Sequence, residues 1–249
     1  MKRGAEMAKI ILVASGKGGA GKSTVSALLG EALAFKKSTV LLLELDSGLR
    51  SLDVALGVSE HILFDMGDII RGSCGIKDAV INCPFCPNLS LIAAAAKPVL
   101  VTEETIKMIS RELGDYYEFI ILDCPAGIGI ELENAAKCAD LGLVVATPDP
   151  SAIRGARAAG KLLENSGVKE RRLVIERCPQ KAKKLAPLKN LDEIIDGAEL
   201  QLIGVIWEDP ATRDSMDSGT PIDDTGINYE TFRDLSERIR GRYIPLGFK

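Results

Sequence analysis

The stretch whose residue types and spacing could do chemistry is Gly16-Lys17-Gly18-Gly19-Ala20-Gly21-Lys22-Ser23-Thr24. It follows an apolar run, Ile10 to Ala14, and opens onto a helix-like segment. A glycine, four residues, then Gly-Lys-Ser is the spacing of a phosphate-binding loop. Its glycines let consecutive backbone N–H groups turn inward around an anion, and the helix that follows presents its positive end to the same charge. Lys22 can reach the outer phosphates, and the Ser23 hydroxyl is placed to bind Mg²⁺. The glycines also satisfy the looser G-x-G-x-x-G pattern of dinucleotide sites. Lys-Ser directly after the last glycine points instead to a nucleoside triphosphate.

Such a loop must be held between a strand and a helix, and the chain supplies both repeatedly. Apolar runs at 9–15, 39–45, 89–95, 118–123, 141–147, 171–176 and 201–207 read as strands buried on both faces. Amphipathic segments at 22–35, 62–72, 102–114, 130–138, 151–166, 190–196 and 228–240 read as helices. The alternation predicts an α/β fold, a mostly parallel sheet with helices on both faces in a P-loop three-layer sandwich. In such a sheet the ligand lies at the carboxyl ends of the strands. With 249 residues, one domain is expected over 9–241, after a short extension at 1–8 and before a tail at 242–249. A net charge of −4 gives no global electrostatic case for nucleic acid. The absence of a long apolar run or signal peptide suggests a cytoplasmic protein, in which the six cysteines are expected as thiols or metal ligands rather than disulfides.

Acidic residues stand where strands end. Glu44 and Asp46 follow the second strand, and Asp123 closes the apolar run Ile120-Ile121-Leu122. Carboxylates at such positions can hold a metal ion through water or orient an attacking water. Ser23, Asp123 and Glu44 are therefore the candidate Mg²⁺ residues, and Asp46 is a candidate for either role. Gly127 and Gly129 leave the loop after Asp123 free to respond to a γ-phosphate.

Lys17, directly after the first glycine, makes the loop K-G-G-x-G-K-S-T, which resembles the deviant Walker A motif of the MinD/ParA family of ATPases. Asp46 to Gly57 has the form D-x-G-L-R-x-L-D-x-x-L-G, similar to the first switch of the MinD branch, and that resemblance implies that Asp46 orients the hydrolytic water. Asp123 to Ile128, D-x-P-A-G-I, resembles its second switch. The resemblance runs from about residue 8 to 240. It implies an ATP-dependent homodimer in which Lys17 crosses to the partner's nucleotide in the manner of an arginine finger. It further implies slow hydrolysis stimulated by an activating or effector protein, with an output in placing the division site or a polar structure. Thr147 to Arg154 is comparable to a family segment near the dimer face, although Asp149 or Ser151 would serve equally as an ordinary helix cap.

The base end is less regular. Glu176 and Arg177 occupy the strand where many relatives put Asn before Arg. An ionised carboxylate only accepts, so Glu176 could take the adenine amino group or the N1–H and N2–H groups of guanine. The base is open at this point, and the resemblance favours ATP. Ile203 to Pro210 is similar to a segment bordering the base, which makes Asp209 and Pro210 further candidates.

Two features stand outside this pattern. Cys83-Pro84-Phe85-Cys86 could supply two thiolates to zinc or an iron–sulfur cluster shared across a dimer, act as a redox pair, or be two loop thiols. A metal-carrier ATPase is therefore an alternative function, and a ParA-like DNA partition ATPase another. At the carboxyl end, Arg238, Arg240 and Arg242 precede Ile244, Leu246 and Phe248, a combination that could touch the inner face of the membrane or form an ordinary packed or frayed tail. Lys181, Lys183, Lys184 and Lys189 read as a solvated basic loop.

Overall fold

The apolar runs become strands because both of their faces are covered. A computed structural model describes residues 8–180 and 190–246. The chain runs β1 (Lys9–Ala14), α1 (Lys22–Phe35), β2 (Val40–Glu44), α2 (Leu52–Ala55), α3 (Met66–Arg71), β3 (Ile81–Asn82), β4 (Leu89–Ile92) and α4 (Glu103–Leu113). It continues through β5 (Phe119–Asp123), α5 (Ile130–Ala136), β6 (Leu141–Ala146), α6 (Pro150–Asn165), β7 (Glu170–Cys178), α7 (Leu191–Ala198), β8 (Gln201–Trp207), α8 (Pro210–Ser218) and α9 (Ile227–Ile239). The basic run from Lys181 to Lys189, residues 1–7 of the extension and residues 247–249 of the tail lie outside the described residues.

The strands form one sheet in the order β3-β4-β2-β5-β1-β6-β7-β8. All neighbours are parallel except the two-residue edge strand β3, which runs antiparallel to β4. Successive side chains alternate between faces. Leu12, Leu43, Leu122 and Val144 pack with α3 to α7, while Ile11, Val13, Leu42 and Ile121 pack with α1, α2 and α9. This is the expected three-layer α/β sandwich. β1 lies between β5 and β6, with Val13 beside Asp123, and Glu44 of β2 is likewise beside Asp123. The parallel register thus brings the ends of β1, β2 and β5 to one rim.

Arg238 and Arg240 bond back to the fold, while Arg242 stays exposed on an ion pair with Glu237 (2.9 Å). Arg238 donates to the carbonyls of Ile203 (3.0 Å), Ile244 (2.9 Å) and Pro245 (2.8 Å). Arg240 donates to Ser38 Oγ at 3.1 Å. Among the described residues, no helix is long and apolar enough to cross a membrane.

Candidate active site

The loop from Gly16 to Gly21 can turn into α1 because its glycines take conformations other residues resist. Gly21, at φ +88°, caps α1 without a side-chain hydrogen bond, so the first N–H groups of the helix are open to an anion. A Cβ on Gly21 would lie 2.4 Å from Glu176 Cδ. Gly16 is equally constrained, since a Cβ there would lie 2.1 Å from the Gly155 carbonyl oxygen of α6. A cleft of about 490 Å³ opens beside the loop, lined at one end by Gly18, Gly19, Gly21, Lys22, Ser23 and Thr24.

Asp123 is buried at the end of β5 and accepts from Ser23 Oγ (2.7 Å) and Ser26 Oγ (2.8 Å). Ser26 was not singled out in the sequence, although its spacing three residues after Ser23 places both hydroxyls on one face of α1. Burial pushes the Asp123 carboxyl up to about 6, against the two hydroxyls and Lys22, which lower it. Hydroxyl and carboxylate oxygens converging beside open helix N–H groups form a donor set suited to a hard cation such as Mg²⁺. Because cation binding needs the carboxylate ionised, Mg²⁺-dependent nucleotide affinity should fall by about tenfold per pH unit below 6. Titration of a fluorescent nucleotide at pH 5 and pH 7, with Mg²⁺ and with EDTA, checks this. A pH dependence identical in EDTA would count against it.

Asp46 lines the same cleft. Burial raises its pKa, with Lys22 lowering it and Glu131 raising it further. Glu44 is placed differently from the expectation of a metal-side carboxylate. Its Oε1 accepts from Ser51 N (2.6 Å), Ser51 Oγ (3.1 Å) and Leu52 N (3.0 Å), and its Oε2 from Ala94 N at 3.2 Å. The longer arm of glutamate reaches past the strand end and fastens the start of α2 to the segment after β4. The second switch is tied to the phosphate loop by Gly127 N–H donating to the Ser15 carbonyl at 2.9 Å.

Lys17 is not among the residues lining the cleft. Its Nζ lies 3.2 Å from Asp149 Oδ1 and 2.9 Å from Ser151 Oγ, both at the N-terminus of α6. Burial works to raise the Asp149 carboxyl, but hydrogen bonds from Ser151, Thr147, Ala152 and Lys17 hold it well below the usual carboxylate range. Asp149 is thus both the cap of α6, as one reading of the sequence had it, and the seat of Lys17.

Away from the phosphate loop the cleft is lined by Glu176, Arg177, Trp207, Glu208, Asp209 and Met216. Asp209 spends its carboxylate capping α8, accepting from Ala211 N (3.3 Å), Thr212 N (3.2 Å) and Thr212 Oγ1 (2.8 Å). Pro210 occupies the first turn of that helix, where its missing N–H costs nothing.

The expectation of zinc or an iron–sulfur cluster at Cys83 and Cys86 is corrected. Both side chains point into the core beneath α2, with Cys83 Sγ 4.0 Å from the Leu56 carbonyl oxygen. Burial pushes the thiols up to about 11 and about 12, which opposes the thiolates a metal requires. Among the described residues no group of three or more His, Cys, Asp or Glu side chains could hold a metal ion. Thiols enclosed by their own core cannot meet those of a second copy.

A phosphate loop, two strand-end carboxylates and a second loop lysine at the rim of a parallel sheet define a P-loop ATPase of the deviant Walker A class. A family model described as an AAA domain matches residues 8–171. The septum site-determining protein MinD of Bacillus subtilis is 35% identical over 246 residues, covering 96% of this chain and 92% of that protein. The chain belongs to the MinD family of ATPases that determine the septum site. Among solved structures it is similar to MinD in the MinC:MinD cell division complex of Aquifex aeolicus (TM-score 0.87, 31% identity, 96% of this chain and 98% of that one). It is also similar to MinD of Pyrococcus horikoshii complexed with Mg-ADP (TM-score 0.80, 26% identity, 94% and 96% covered). Division-site placement, rather than DNA partition or metal delivery, is the function these relatives share.

Proposed function

We propose that this ATPase works as a dimer switch: ATP closes two copies face to face, and hydrolysis releases them. The observation that carries the reading is the position of Lys17. Its ammonium sits at the rim of the sheet outside its own cleft, on a half-exposed ion pair with Asp149. Exposed pairs of this kind are worth about 0–1 kcal/mol, so a second nucleotide opposite could draw the lysine across at little cost. Leu49, Ile128 and Ile130, exposed on loops and helix starts after β2 and β5, supply apolar surface at the same rim.

In this mechanism the backbone N–H groups from Gly18 to Thr24 bind the phosphates, and Lys22 offsets their charge. Ser23 and Asp123 would hold Mg²⁺, which neutralises charge on the transferred phosphoryl group when bound. Asp46 orients the attacking water, and Lys17 from the opposite copy stabilises charge developing in the transition state. Loss of the γ-phosphate then frees the loops after Asp46 and Asp123, where Gly127 at φ +102° already takes a conformation closed to most residues. The Mg-ADP complex of the Pyrococcus relative supports the choice of nucleotide, and the Aquifex complex supports a MinC-like effector. Stimulation of turnover by a partner protein belongs to the same proposal.

Solution mass measured without nucleotide, with ADP–Mg²⁺ and with ATP–Mg²⁺ tests the switch, using Asp46→Ala to block turnover. The variant should be monomeric in the first two conditions and dimeric in the third. Its hydrolysis should fall by at least about a hundredfold, the usual cost of losing a group that positions the nucleophile. One mass in all three conditions would rule the switch out.

A further inference from the structure

Asp46 can aim a water only as well as its loop is held, and that loop is exposed at Gly48 and Leu49. Its far end is fixed by Glu44, which takes the Ser51 and Leu52 N–H groups. Its middle is tied to the segment after β4. Ser47 Oγ donates to the Val99 carbonyl at 3.1 Å, and Gly48 N–H to the Ala95 carbonyl at 2.9 Å, an approach made at φ +85°. Arg50 adds a charged side chain to these ties. Its Nε donates to the Ala94 carbonyl at 2.8 Å, and a terminal nitrogen of its guanidinium pairs with Asp65 Oδ2.

Asp65 is itself fixed. Its side chain is only 10% exposed, and its Oδ2 also accepts from Ala96 N at 3.0 Å. Its Oδ1 caps α3 by accepting from Asp68 N at 3.1 Å. Arg50 therefore closes on an anchor that belongs to α3 and the end of β4, not to the loop. A planar guanidinium suits this place because it donates to a carbonyl and a carboxylate at once, in fixed directions. Neither Arg50 nor Asp65 lines the cleft, whereas Asp46 does. Whatever the pair contributes to hydrolysis must pass through the loop.

We infer that Arg50 and Asp65 are positioning residues for hydrolysis, whose pairing holds the first-switch loop so that Asp46 stays aimed into the cleft. The ties from Ser47, Gly48 and Arg50 all end on residues 94–99, so this segment sets where the loop can sit. The inference rests on the role proposed above for Asp46 and names what supports it.

The test combines steady-state ATP turnover, titration of ribose-labelled fluorescent ADP and amide hydrogen exchange on the full chain. Arg50→Ala should lower kcat by about 10²-fold, the effect of displacing a positioned group by about 1 Å. Nucleotide affinity should stay within about twofold of wild type, because the cleft walls are untouched. Exchange should quicken from Gly48 to Leu52, while β1 and α1 keep their wild-type protection. Arg50→Lys carries an ammonium that reaches the carbonyl or the carboxylate but does not span both, so its kcat should fall between the two. Asp65→Asn keeps a capping oxygen for α3 and should also lower kcat, which repeats the test without touching the loop. Combined with Arg50→Ala it should cost nothing more, since both changes remove one interaction. A wild-type kcat in Arg50→Ala would overturn the inference, as would nucleotide affinity falling in step with kcat while protection is lost throughout the chain. If Asp46→Ala turned over ATP as wild type does, the reading of Asp46 would fail and this inference with it. A wild-type kcat in Arg50→Ala beside an inactive Asp46→Ala would strike this inference alone.

Discussion

Replacing Lys17 with alanine should lower ATP turnover by about 10³-fold, in the range found when a charge supplied from outside the phosphate cradle is removed. Nucleotide affinity should stay close to wild type. The asymmetry follows from the positions of the two loop lysines. Lys22 is buried and lines the cleft, so its loss should weaken binding of every nucleotide. Lys17 is bound to Asp149 and Ser151 on α6, so its loss leaves the cleft walls intact. A group that acts only when a second copy arrives contributes to the transition state and to dimer closure, and little to the first binding step. Steady-state turnover, fluorescent nucleotide titration and solution mass with ATP–Mg²⁺ separate these contributions. Wild-type turnover by the alanine variant would mean that the lysine stays on α6 throughout the cycle.

The contrast between these lysines also marks the limit of what could be read from the chain. The core strands were legible because burial on both faces demands unbroken apolar runs, as in β1, β2, β5 and β6. Helix α8 was not, since Asp-Ser-Met-Asp-Ser has no apolar stripe. Its available signals were Asp209 as cap, Pro210 in the first turn and Gly219 at the left-handed stop. α2 spans four residues and β3 two, too few for any periodicity to register. Within the site, the phosphate loop and the Asp123 position follow from local spacing. The Lys17–Asp149 pair joins residues 132 apart and depends on β6 lying beside β1. Glu44 shows the same limit. Its residue type suggests a role near metal, but only the fold reveals the Ser51, Leu52 and Ala94 N–H groups waiting for its carboxylate. For Cys83 and Cys86, spacing suggested ligands, and burial, which spacing does not encode, decided against them.

The apparent economy of the site does not extend to α1, where Glu31 is 1% exposed and serves no nucleotide. Its one hydrogen bond is long, from Ile222 N–H to Oε2 at 3.4 Å, and burial pushes its carboxyl from the ordinary 4.5 up to about 7. The folded chain therefore holds this proton more tightly than the unfolded chain does. Below pH 4.5 both states are protonated and there is no penalty. As pH rises from there to about 7, the unfolded state loses its proton first, and stability falls. Above that the full penalty applies, about 3 kcal/mol. Glu31→Gln removes the ionisation and keeps a carbonyl oxygen for Ile222. The variant should thus be more stable than wild type by about 3 kcal/mol at pH 8, raising Tm by about 9 °C for a chain of this size. The two proteins should converge near pH 4.5. Urea unfolding of both nucleotide-free proteins at pH 5 and pH 8 gives the comparison directly. An equal gain at both pH values would trace the effect to packing around residue 31 rather than to the buried charge.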